Sequence, residues 1–268
     1  MTGAVDKETA KGNAKGAALL MVHGLIGPID YFEPARLLAG IDVHAPDMIG
    51  YGRRRSEEAG IDLPGQADAL AQYLRDEVAQ PAWLLGHSVG GAVAMMVADR
   101  VPELVRGLIS VEGNFTLRDA FWCARIAALG EEAWAAEYGA MEDAPAAWLE
   151  KSGIEADDER IAWARDILNN QPYTTVQRMA RSVIAETGKP DWPELVRRVL
   201  VRGTPLYLLG GEQSAAGWDV PEWVLAAARQ VLVQPKTGHM MMLEDPRHFC
   251  RIVGSIIGGG EGSAGAAQ

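Results

Sequence analysis

Cysteine is almost missing from this chain. Cys123 and Cys250 are its only two among 268 residues, and neither sits in a C-x-x-C pair. A disulfide-stapled scaffold and a structural zinc site are therefore not expected, and a reducing compartment fits. Long apolar runs are also lacking. No stretch approaches the roughly 18 apolar residues that a membrane-spanning helix needs, and the opening residues MTGAVDKETAKGNAKGA hold no apolar block of the signal-peptide kind. Positive charge is scarce, with 25 Lys and Arg against 36 Asp and Glu and a net charge of −11. Such a surface repels phosphate backbones and anionic lipid, so neither nucleic acid nor membrane is an expected partner. The chain reads as a cytoplasmic protein, with a homodimer left open.

What is present is ample core material, 48% of residues being hydrophobic. Short apolar runs recur at Ala17 to Val22, Ile41 to Ala45, Ala82 to Gly86, Val105 to Val111, Pro205 to Gly210 and Gln230 to Gln234. Most lack polar alternation, as parallel strands covered on both faces do. Helical patterns separate several of them, at Gly65 to Val78, Val89 to Arg100 and Pro221 to Arg229, and a last helix is expected from Pro246 to about Ile257. Strand, crossover helix and strand in repetition predict an α/β fold with a mostly parallel sheet of about six strands. Between Asn114 and Arg202 no strand-like run occurs, and Trp122, Trp134, Trp148, Trp163 and Trp192 fall among Ala, Glu and Arg. So long an interval implies a helical subdomain inserted before the penultimate strand. The expected organisation is a core over 17–113 and 203–257, a helical cap over 114–202, and flexible termini at 1–16 and 258–268.

The chemistry-bearing signal is Gly86-His87-Ser88-Val89-Gly90-Gly91, placed between an apolar strand and a helical pattern. G-x-S-x-G in that setting is a nucleophile elbow: a sharp strand-to-helix turn holds the serine strained, with its hydroxyl raised above the sheet edge. The helix N-terminus behind it supplies N–H groups to a developing oxyanion. His23-Gly24-Leu25 follows the first strand, and its turn can present the Leu25 N–H beside that of Val89 as a second oxyanion donor. A general base must come from a loop at the same sheet edge. Of five histidines, His23 and His87 belong to the turn and the elbow, His44 to a strand and His248 to the last helix. His239, in Gly238-His239 after the final strand, remains.

Four segments, His23 to Leu25, Ala45 to Arg53 (APDMIGYGR), Gly86 to Gly91 and Gly238 to Pro246, resemble the α/β-hydrolase superfamily, and in particular its capped esterase, carbon–carbon-bond hydrolase and dehalogenase branches. The resemblance runs from Leu19 to about Ile257 and implies the α/β-hydrolase fold. Members usually open with an antiparallel strand pair, whereas residues before Ala17 do not read as strands, which favours a six-stranded sheet. In most relatives the triad acid is an Asp shortly after the penultimate strand, where this chain has Ser214. The resemblance to haloalkane dehalogenases that carry a catalytic Glu one strand earlier implies Glu112 instead, with Asp219 and Glu212 as alternatives. Dehalogenation itself is not implied, because that branch attacks with Asp and holds halide with Trp where this chain has Ser88 and Val89.

The expected activity is acyl transfer by a Ser88–His239–Glu112 triad on an ester, thioester or activated ketone of a small apolar or acyl substrate, with no metal and no organic cofactor. His23, Gly24, Phe115, Trp122 and Met240 are the expected substrate-binding residues. Aromatic and Met residues at helical spacing are more often packing than ligand contacts. Two other readings stand beside this one: non-hydrolytic chemistry such as elimination, cyclisation or acyl transfer on the same triad, and a catalytically inert binding protein.

Overall fold

A computed structural model describes residues 16–264, with side chains described as far as residue 259. Six strands form one sheet: β1 (Ala18–Val22), β2 (Asp42–His44), β3 (Ala82–His87), β4 (Val105–Val111), β5 (Leu206–Gly211) and β6 (Gln230–Gln234). Their order is β2-β1-β3-β4-β5-β6, and every neighbouring pair is parallel. All residues of β1 and β3 are buried, which accounts for their unbroken apolar sequence. The edge strand β6 departs from that expectation, because Val231 and Val233 are exposed. An edge strand has a neighbour on one side alone, so helices cover it less completely.

Among the described residues, twelve α-helices accompany the sheet. Those of the first half are α1 (Pro34–Leu37), α2 (Leu63–Tyr73) and α3 (Val89–Arg100). Asp62 caps α2 by accepting from the Gly65 N–H at 2.7 Å. Six helices then lie between β4 and β5: α4 (Phe121–Ala128), α5 (Glu131–Asp143), α6 (Pro145–Lys151), α7 (Asp158–Asn169), α8 (Tyr173–Thr187) and α9 (Trp192–Val201). The chain ends through α10 (Glu222–Ala227), α11 (Met241–Glu244) and α12 (Pro246–Ala264). The last helix thus runs past the expected stop at Ile257.

The inserted helices are bound to the core by packing first. Within the insertion, Trp134 and Trp192 are buried and donate their indole N–H groups to the Tyr173 and Phe115 carbonyls at 2.9 and 2.8 Å. Leu149, Ile154, Ala164 and Ile167 form a small cluster with Leu243, against which Ile26, Tyr31 and Met240 pack. The insertion therefore rests on loops at the C-terminal ends of β1 and β6. Arg160 of α7 fastens it there through a 3.0 Å hydrogen bond to the Glu244 carbonyl.

A second attachment is ionic. Asp99 of α3 meets Arg198 of α9 at 2.7 Å and Arg202 at 2.9 Å. Burial pushes the Asp99 carboxyl up, but the two guanidinium groups outweigh it and hold it below the usual range. Its contribution is then present above the unfolded value of about 3.9 and is lost as pH falls through the lower folded value. Asp99→Asn is accordingly expected to cost about 1 kcal/mol at neutral pH. In urea unfolding the gap from the native protein should close below about pH 4; a gap that stays constant with pH would assign the loss to packing instead.

Candidate active site

The end of β3 and the start of α3 form the elbow that the sequence predicts. Ser88 has φ 54° and ψ −122°, a left-handed backbone that costs a non-glycine residue of order 1–3 kcal/mol. Gly90 permits it: a methyl group there would lie 2.4 Å from the carbonyl oxygens of Val22 and His23. The first turn of α3 can thus press directly on the end of β1. The Val89 N–H opens α3, where helical N–H groups have no partner within the helix.

The turn after β1 lies against the elbow. A methyl on Gly24 would fall 3.3 Å from Ser88 Cβ and 3.1 Å from His87 Nδ1. Leu25 is buried, and its carbonyl accepts from the Tyr51 hydroxyl at 2.9 Å, which fixes the peptide whose neighbouring N–H is the expected oxyanion donor. His23 Nδ1 lies 2.8 Å from the Gly24 carbonyl. Burial drives the His23 pKa down to about 4, so the ring is neutral and Nδ1–H is the donor.

His239 follows β6 and its side chain is 46% exposed. Its Nδ1 lies 2.6 Å from Glu112 Oε2, while the Glu112 side chain is only 5% exposed. Glu112 stands at the end of β4 with φ 43°, and its second oxygen accepts from the Gly211 N–H at 2.9 Å and the Ser214 hydroxyl at 2.5 Å. Burial raises the carboxyl, but these donors together with His239 outweigh it and hold Glu112 below the ordinary glutamate value. The two alternative acids face other partners. Asp219 accepts from Thr116 Oγ1 at 2.6 Å, and Glu212 accepts from the Lys236 N–H at 2.7 Å.

Ser214 thus occupies the expected acid position and serves a carboxylate that comes from the neighbouring strand. Its role was missed in the sequence, where it read only as the loss of an acid. His87 was also missed. Its Nε2 lies 3.0 Å from the His239 carbonyl and its ring centroid 4.7 Å from that of His239. Burial first, and then His239, lower its pKa to about 3, so His87 stays neutral and Nε2–H donates.

The expected substrate-binding residues divide. His23, Gly24 and Met240 line a cavity of about 20 Å³ beside the elbow, together with Tyr31, His87 and Ile167. Phe115 and Trp122 are not among its lining residues: Phe115 is buried in the main core with its ring centroid 6.1 Å from that of Trp218, and Trp122 packs, partly buried, against the same core.

A left-handed turn at Ser88 between strand and helix and a carboxylate-paired histidine stand at one edge of a parallel sheet, an arrangement found in the α/β-hydrolase fold. A family profile described as the alpha/beta hydrolase family matches residues 19–251. The chain belongs to that family. Over 105 residues it is 40% identical to the pimeloyl-[acyl-carrier protein] methyl ester esterase of Yersinia pseudotuberculosis, a stretch covering 38% of this chain and 39% of that one. Over 99 residues it is 30% identical to the 2-(acetamidomethylene)succinate hydrolase of Mesorhizobium japonicum, covering 36% of each. The matches therefore span well under half the length of these curated relatives. Among solved structures, a thermophilic esterase from Thermogutta terrifontis superimposes with a TM-score of 0.70 at 21% identity, over 92% of this chain and 91% of that one. That likeness bears on the fold. No helix among the described residues is long and apolar enough to cross a membrane.

The Ser214 hydroxyl is one of the groups that depress the Glu112 carboxyl. Ser214→Ala should therefore raise the Glu112 titration midpoint toward the usual glutamate range, as followed by carbon NMR of its side-chain carboxyl. An unmoved midpoint would mean that the serine contributes nothing to the pair.

Proposed function

We propose that this protein is a serine hydrolase that cleaves an ester, thioester or activated ketone of a small apolar substrate through an acyl-enzyme. The observation that carries the reading is the 2.6 Å pairing of His239 with a buried Glu112 beside the left-handed turn at Ser88. His239 Nδ1 is engaged by Glu112, which leaves Nε2 to take the Ser88 proton as Oγ attacks the carbonyl carbon. The N–H groups of Leu25 and Val89 receive the oxyanion. As the tetrahedral intermediate collapses, His239 returns the proton to the leaving group; water then repeats the sequence and releases the acid. Glu112 holds the imidazole tautomer and offsets the charge of the imidazolium. The six inserted helices act as the cap over this site, with Met240 and His23 toward the substrate. Esterase and hydrolase names among the partial relatives agree with this chemistry.

A fluorophosphonate should label Ser88 in the native protein, read by peptide mass spectrometry, and Ser88→Ala should take no label. Absence of label on native protein would favour the inert binding reading. A panel of nitrophenyl esters of graded acyl length should show turnover that Ser88→Ala loses, and products formed in isotopically labelled water should carry the label if hydrolysis is the reaction. Glu112→Gln should lower kcat by roughly 10³–10⁴-fold, the order seen when a triad carboxylate is lost. Asp219→Asn should stay within a few-fold of native; the reverse result would move the acid to the later loop.

A further inference from the structure

His239 sits on a loop whose own anchors decide where its ring stands. The imidazole is half exposed and is gripped by Glu112 at Nδ1. Its distance from Ser88 therefore follows the main chain between β6 and α11. That main chain is tied at three successive residues. The Thr237 carbonyl accepts from the Gln213 N–H at 2.9 Å, the Gly238 N–H donates to Glu244 Oε1 at 2.8 Å, and the His239 carbonyl accepts from His87 Nε2 at 3.0 Å. The first and third partners stand at the ends of β5 and β3. Glu244 instead closes α11, five residues after the base. Gly238 has no side chain to narrow its backbone freedom, so the Glu244 bond checks the loop where it swings most easily.

Glu244 is in turn held by the insertion. Arg160 of α7 donates to its main-chain carbonyl at 3.0 Å while pairing with Asp157 at 2.7 Å. Met240, which follows His239, packs against the cluster of Leu149, Ile154, Ala164 and Ile167, and Leu243 lies within it. The insertion thus bears on the loop from both flanks of the base. A carboxyl is costly at this place. Burial pushes Glu244 above its ordinary value, by more than the Gly238 N–H and the Arg160 guanidinium pull it back. An apolar side chain would avoid that cost but could not accept from Gly238.

We propose that Glu244 is a positioning residue for His239, and that Arg160 holds Glu244 in place, so that the helical insertion takes part in aligning the base. This rests on the hydrolase reading above, and the test keeps the two apart. Turnover of a nitrophenyl ester is compared in native protein, Glu244→Ala, Glu244→Gln, Arg160→Met and the double variant of Glu244→Ala with Arg160→Met. A melting curve establishes that each is folded, and Met keeps the aliphatic stem of Arg160 packed. Glu244→Ala should lower kcat by roughly 10–100-fold with KM little changed, the effect of a misplaced reacting group rather than of a lost substrate contact. Glu244→Gln keeps an acceptor within reach of Gly238 and should recover most of that loss. Arg160→Met should lower kcat several-fold, and the double variant should be no worse than Glu244→Ala, because both changes break one chain of contacts. Glu244→Ala within about threefold of native, or Glu244→Gln as impaired as Glu244→Ala, overturns the positioning role. Losses that multiply in the double variant overturn the part of Arg160. If native protein turns over no ester and Ser88 takes no fluorophosphonate, the hydrolase reading fails by itself. The alignment is then read from the proton NMR resonance of His239 Nδ1–H, bonded to Glu112. Exchange broadening in Glu244→Ala and recovery in Glu244→Gln support the placement; the same signal in all three proteins overturns it.

Discussion

The Ser88 N–H donates to the Val111 carbonyl at 2.9 Å, and this single backbone bond ties together two strained strand ends. Ser88 closes β3 and Glu112 closes β4, and both hold a left-handed backbone without being glycine. Neither conformation would persist on its own, since each costs free energy that local interactions do not return. Adjacency returns it. The Ser88 carbonyl accepts from Gly91 and Asn114, and the Glu112 N–H reaches across to Leu209 of β5. Ser88 and Glu112, at the ends of neighbouring parallel strands, are thus held by the sheet itself.

Electrostatics follows from that placement. Glu112 is buried, so its charge would be unfavourable without compensation, and it receives three donors: His239, the Gly211 N–H and the Ser214 hydroxyl. The neutral rings of His23 and His87 surround the same corner without adding positive charge, because burial drives both pKa values far below neutrality.

Much of this was legible in the sequence, for identifiable reasons. The central strands announced themselves because both faces are covered, so apolar residues run without interruption; β4 and β6 carry the bounds expected for them. The elbow was legible because a left-handed serine between a strand and a helix needs small residues on either side. The Glu112 position came by resemblance to relatives, since nothing local in VRGLISVEGN distinguishes a strand-end glutamate from a solvated one. Other features could not be read because they depend on what lies across the fold. Ser214 looked like a missing acid until a carboxylate from another strand met its hydroxyl. The exposed face of β6 follows from its edge position, which periodicity does not encode. Phe115 and Trp122 could as well have faced a ligand as a core, and Tyr31 gave no signal at all, lying some sixty residues from the elbow in the chain.

The contact between His87 and His239 has a mechanical consequence. His87, the residue before Ser88, holds the main chain of His239, 152 positions away, so the end of β3 and the loop after β6 are coupled. The helical insertion rests on the same loop, through Arg160 on the Glu244 carbonyl and through the Leu243 cluster against which Met240 packs, so whatever shifts the inserted helices also bears on the position of His239.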